Sequence, residues 1–183
     1  LSYNVIGSLF VDYVRMLRSM KSTDWSQVFS PEDMAYLREK VDPTKWYPMS
    51  TFERFGNAIL KELGNGDLEL VRMWGRTQVD QMQALYPDLV AAGDPFETLM
   101  RFRVLRATFF DFDALDVAMV VEGEANMEIS YHMGNTAEEA ASYQTLGFFE
   151  RLLELAGATT VKAQFLERKW AGDPRTMLSL EWR

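Results

Sequence analysis

The sequence has no cysteine and a single histidine, His132. The first absence excludes disulfides, thiolate catalysis and cysteine-built zinc or iron-sulfur sites. The second means that any catalytic triad, imidazole acid or base, or histidine-held metal must pass through one residue. Long hydrophobic runs are also missing. The tract at residues 5–17 is broken by Ser8, Asp12 and Arg15, well short of the roughly 18 uninterrupted apolar residues of a membrane span. It reads as a buried helix, not an anchor or signal peptide. Positive charge is scarce, with 19 Lys and Arg against 27 Asp and Glu and a formal net charge of −8. A phosphate backbone would be repelled, and no basic stripe with interleaved aromatics offsets this, so nucleic acid is not an expected partner. Together these absences predict a cytoplasmic protein without a membrane span.

What is present fits one soluble domain. The 183 residues are 48% hydrophobic and 25% charged, near the globular average, and the chain is long enough to bury about 70% of its unfolded surface. Twelve Phe, seven Tyr, five Trp and eleven Met supply large, adaptable side chains, suited to irregular packing or to a deformable apolar pocket.

Hydrophobic periodicity predicts helices over residues 3–20, 67–86 and 136–155. Ser30-Pro31-Glu32-Asp33 opens a short helix to about residue 40, and Asp94-Pro95-Phe96-Glu97 opens one to about residue 108, each by a capping residue followed by proline. Residues 42–48 read as a loop. Ser50-Thr51-Phe52-Glu53 matches a capping box, as do Thr136 and Glu139, and Gly64-Asn65-Gly66 and Gly157 read as stops. From Leu115 the period changes to two, through Val117, Met119 and Val121, then Met127, Ile129, Tyr131 and Met133 around a turn at residues 122–126. Val161, Ala163 and Phe165 alternate again, as do Leu178, Leu180 and Trp182, about a turn at Gly172-Asp173-Pro174. The fold class is therefore α+β: about five helices over 1–110, then a β-β-α-β-β antiparallel sheet with one helix on a face over 111–183, in a single domain.

Three groups invite chemistry. Asp111 and Asp113, in a run ending Asp-x-Asp, have the form of a phosphohydrolase nucleophile and its acid-base partner. The long α/β region such enzymes need is missing, and a solvated helix-to-strand turn accounts for both residues better. His132 falls with Glu128 and Ser130 on the polar side of a predicted strand, and no accompanying hydrolase, zinc, EF-hand or P-loop pattern is present. Asp111, Asp113, Asp116, Glu122, Glu124 and Glu128 carry oxygens suited to a hard cation, but an acidic protein places such residues at hairpin ends in any case. No catalytic residue, metal site or cofactor is expected.

The string from Gly147-Phe148-Phe149 to Leu155-Ala156-Gly157, the strand at 161–165 and then Gly172-Asp173-Pro174-Arg175-Thr176 resembles the ending of four-vinyl-reductase-type domains. Those domains share a superfamily with heme nitric-oxide-binding sensors. The whole chain is also similar to an uncharacterised bacterial paralogous family from myxobacteria. The resemblance implies a regulatory module enclosing a small apolar molecule between helices and sheet and signalling to a partner. Two departures limit it. The cysteines common near the final turn of four-vinyl-reductase domains are replaced by Arg175-Thr176-Met177. The heme sensors' axial histidine on a helix and their Tyr-x-Ser-x-Arg motif are both missing, so heme is not carried over.

The reading is thus a non-catalytic regulatory or sensory domain, with Met73, Trp74, Phe102, Met119 and Tyr131 expected from periodicity to line an apolar pocket. Its rival is an interaction adaptor of the same fold with a filled core, binding a protein partner or a second copy. A hydrolase built on Asp111 and Asp113 stands third. Gly147, in mid-helix, is expected where the backbone comes too close to the sheet for a β-carbon.

Overall fold

In the computed structural model, which describes residues 2–183, the chain forms two compact units. The first runs to Gly66 and takes in Ala107–Phe112. It contains β1 (Asn4–Ile6), α1 (Gly7–Ser19), α2 (Pro31–Arg38), β2 (Trp46–Pro48) and α3 (Met49–Glu62). Two expectations change here. The first helix begins at Gly7, not Tyr3, because residues 4–6 pair antiparallel with β2, Val5 opposite Tyr47; the expected loop at 42–48 thus supplies a strand. A β-carbon at Gly7 would collide with the Asp42 carbonyl oxygen. Secondly, α3 starts before Ser50, from Pro48 without a side-chain cap. The Thr51 hydroxyl instead donates to Asp33 Oδ1 at 2.9 Å. Ser30 does cap α2, accepting from Asp33 N–H.

The core of this unit is built from rings. Phe10 stacks on Tyr47 with centroids 4.5 Å apart, Tyr13 stacks on Phe52 at 4.1 Å, and Phe29 meets Phe55 edge-on at 4.9 Å. Such pairs are worth about 0.5–1.5 kcal/mol beyond the area they bury. The returning segment is stitched in by Ile6 N–H donating to Phe109 O at 2.9 Å and by Asp111, whose carboxylate accepts from the Asn4 N–H and side-chain amide, each at 2.7 Å.

The second unit comprises Asp67–Arg106 and Asp113–Arg183. It holds α4 (Leu68–Leu85), α5 (Pro95–Leu105), β3 (Leu115–Val121), β4 (Glu124–Ile129), α6 (Asn135–Leu155), β5 (Val161–Glu167) and β6 (Thr176–Trp182). Whereas the sequence placed α4 and α5 with the preceding helices, they group with the sheet. Asp67 and Asp94 cap them through Glu69 N–H and Glu97 N–H respectively. The sheet order is β3-β4-β6-β5, antiparallel throughout, as the alternation predicted. Val117, Met127, Leu178 and Phe165 lie in register across it. Phe165 meets Tyr143 of α6 at 5.3 Å, so α6 covers that face. The β3 edge is closed by arginines from α5 and its C-terminal end: Arg103 donates twice to Val117 O and Arg106 to Leu115 O at 2.8 Å. Covering an edge in this way removes a template for unwanted strand pairing.

Candidate ligand-binding site

The middle of α6 is the spine of the second unit. Gly75 of α4 and Gly147 of α6 let the two helices meet backbone to backbone: a β-carbon on Gly75 would collide with Gln144 O, and one on Gly147 with Arg72 O. The close approach expected at Gly147 is therefore present, but against α4 and not the sheet. Arginines flank the crossing. Arg72 grips the buried Glu150 carboxylate with two bonds of 2.5 Å, and Arg76 reaches Glu154 at 2.6 Å and Glu150 at 3.6 Å. Glu150 holds the Arg72 guanidinium more firmly protonated than usual.

At its start α6 is held by Glu138, not by the expected Thr136–Glu139 box. The N-cap is Gly134, without a side-chain bond. The buried Glu138 carboxylate accepts from Tyr131 N–H at 2.6 Å and Met133 N–H at 3.0 Å. Burial pushes this carboxyl above the usual carboxylate range, while the two backbone donors pull the other way. The link it clamps contains His132, which is exposed and left-handed at φ +58°. His132 thus lies past the end of β4, not within a strand as the sequence suggested, because the left-handed turn ends the pairing at Ile129.

Two of the five expected pocket residues converge on α6. Phe102, only 2% exposed, meets Phe149 edge-on at 4.8 Å and lies 6.3 Å from Phe148. Tyr131 is buried and shares a 2.5 Å hydrogen bond with the Thr145 hydroxyl, which donates onward to Ala141 O. Trp74 is half-buried beside Gly75 on α4. Met73, 51% exposed, points largely to solvent. Met119 lies opposite Asn126 beyond a bulge after Val117, on the sheet face away from α6. Phe102, Phe148 and Phe149 pack on one another, and the Tyr131–Thr145 hydroxyl couple reaches the same helix, α6, through Thr145. Thr145, Phe148 and Phe149, which Phe102 and Tyr131 meet, were not among the residues expected there.

The carboxylates do not converge. Asp111 is tied to Asn4, and Asp113 is 3.5 Å from Arg106. Among the described residues no group of three or more His, Asp or Glu side chains is placed to hold a metal ion. No helix among them is long and apolar enough to cross a membrane.

No family model and no curated relative matches the chain. Solved structures do. An H-NOX protein from S. oneidensis in the Fe(II)NO ligation state superposes with a TM-score of 0.67 at 12% identity, over 97% of this chain and 99% of that one. An oxygen-binding H-NOX domain related to soluble guanylate cyclases gives 0.62 at 14% identity, over 97% and 94%. A mutant H-NOX of T. Tengcongensis gives 0.60 at 14%, over 97% of each. The fold is therefore that of H-NOX domains. Its residues do not fit an iron porphyrin. Heme iron takes histidine, cysteine, methionine or tyrosine as its axial ligand, and this chain has no cysteine and no histidine on a helix. The lone histidine lies in an exposed link, and the Tyr131 hydroxyl is already bonded to Thr145. Two and four positions beyond Tyr131 stand Met133 and Asn135, with neither a hydroxyl nor a cation for heme carboxylates.

Proposed function

We propose that this chain is a non-catalytic sensory or regulatory domain that uses the H-NOX fold without heme and binds a small apolar molecule in its second unit. The observation that supports the reading is the match to that fold over nearly the whole chain in a sequence that has no cysteine and carries its one histidine in an exposed link. The ligand lies against Trp74, Phe102, Tyr131 and Phe148. The Tyr131–Thr145 couple supplies its one polar anchor. Such a wall selects by shape and by aromatic contact.

The test is native mass spectrometry of protein purified without detergent, alongside absorbance after expression with a heme precursor. A stoichiometric small-molecule adduct, reduced in Tyr131→Phe and lost in Phe102→Trp, with no Soret band, is the expected result. A Soret band at one heme per chain would overturn the heme-free reading, and the absence of any adduct would overturn the ligand.

One observation favours a second reading, the adaptor with a filled core. Phe102, Phe148 and Phe149 are mutually packed, and rings that close fill space as well as line it. Under that reading no adduct is found, and Phe102→Ala leaves a cavity costing about 3–5 kcal/mol.

A further inference from the structure

One buried hydroxyl on α6 makes no hydrogen bond within the chain. Ser142 is 0% exposed, and its Oγ has no partner. A helical serine can donate back to the carbonyl four residues before it, as Thr145 does to Ala141 O at 2.8 Å. Ser142 does not. A buried donor left without an acceptor is destabilising, and native proteins complete such groups with water or a ligand. Two other buried atoms share this condition among the described residues, Asn126 Oδ1 and Trp182 Nε1, but both stand on strands of the sheet. Ser142 stands beside the anchor already described.

Its position sets the chemistry. Glu138, Ser142 and Thr145 follow one another at helical spacings of four and three, so they share one buried stripe of α6. A hydroxyl has one proton to give. Thr145 gives its own to Ala141 O and so accepts that of Tyr131, while the Glu138 carboxylate accepts from the Tyr131 and Met133 amides. The Ser142 proton is the uncommitted one of the stripe. Charge narrows the occupant further. The buried charged residues of the second unit are Glu138 and Glu150, and among the described residues no lysine or arginine is buried. Arg72 already grips Glu150, and Lys169 and His132, which act on Glu138, are exposed to screening solvent. A ligand carboxylate at Ser142 would be desolvated one turn from Glu138 with no buried cation to offset it, a costly arrangement.

We infer that Ser142 extends the Tyr131–Thr145 anchor by a hydrogen-bond donor, and that the molecule held there is uncharged and carries an acceptor oxygen, as a ketone, aldehyde or ester does. The inference rests on the ligand-binding reading and adds the ligand's chemical class to it.

Three probes of similar shape test it: acetophenone, ethylbenzene and benzoate, titrated into the full chain and read by saturation-transfer NMR. Acetophenone is expected to bind saturably and about tenfold more tightly than either of the others, the size of one hydrogen bond to a neutral acceptor. Ser142→Ala should abolish that preference with ethylbenzene affinity unchanged. Thr77→Ala, which removes an exposed hydroxyl from α4, should preserve it. The ligand-free Tm of Ser142→Ala should equal or exceed the parent's, since the hydroxyl it removes has no partner to lose. Four results would overturn the inference and leave the ligand site standing: equal binding of acetophenone and ethylbenzene, a preference for benzoate, a lower ligand-free Tm in Ser142→Ala, or an acetophenone preference kept in that variant. The last would mean that an ordered water alone completes Ser142. Binding by none of the three would also overturn it, and with no adduct in native mass spectrometry the site itself would fall.

Discussion

The two units are held together in opposite ways. The first is built from rings that fill space, Phe10 on Tyr47, Phe52 on Tyr13 and Phe29 against Phe55. The second is built around an omission, the two missing β-carbons that let α4 and α6 touch backbone to backbone. A core of rings is weakened by subtracting atoms, whereas a glycine crossing is weakened by adding them. The contrast is one of emphasis, since Gly7 gives the first unit a tight approach of its own. The buried carboxylates also differ: Arg54 beside Asp33 holds that carboxyl below the usual range, while burial lifts Glu138 above it.

The largest expected effect is Phe55→Ala. This residue is fully buried, and its truncation should cost about 3–5 kcal/mol. Amide exchange should localise the lost protection to the first unit. Next comes Gly147→Ala, with a cost of about 1–3 kcal/mol from overpacking. Denaturant melts should show it, with exchange rising in α4 and α6. An equally stable variant would mean that the helices separate freely and would end the comparison.

Removing the charge in Asp33→Asn should cost about 1–2 kcal/mol near neutral pH. That is less than a fully buried pair would give, because the Arg54 side chain is half exposed. The sign with pH follows from the depressed carboxyl. Its contribution is present above the unfolded value of about 4 and is lost as pH falls through the lower folded value. Acid melts of the variant should therefore be flatter than those of the parent. Glu138 gives the smallest effect and the opposite sign. Its contribution is full below the unfolded value of about 4.3 and declines as pH rises through the folded one. The protection factor of the Tyr131 and Met133 amides, exchange being corrected for its intrinsic rise with pH, should thus fall from pH 4 to neutrality in the parent, and Glu138→Gln should remove that fall.

Short-range signals in the sequence carried over well. Ser30 and Asp94 cap the helices they precede, because a cap is decided within four residues. The two capping boxes at Ser50 and Thr136 failed for a non-local reason. The starts of α3 and α6 are set by the pairing of β1 with β2 and by the reach of Glu138 back to the preceding link. Alternation gave the strands and their antiparallel order. It misplaced Met119, since the bulge after Val117 shifts the parity by one and sends that side chain to the other face. Phe102 and Tyr131 were legible as inward residues, but their common neighbour on α6 was not, because periodicity says which side a residue faces and not what it meets.

The left-handed link between β4 and α6 has a practical consequence. It carries the only imidazole in 183 residues, so a proton spectrum holds one ring Cε1–H resonance for the entire molecule, already assigned by arithmetic. That line sits at the joint fastened by Glu138, one residue from the phenol that contacts Thr145. Without isotopes or an attached dye, its shift and width would report on that joint as candidate molecules are titrated in.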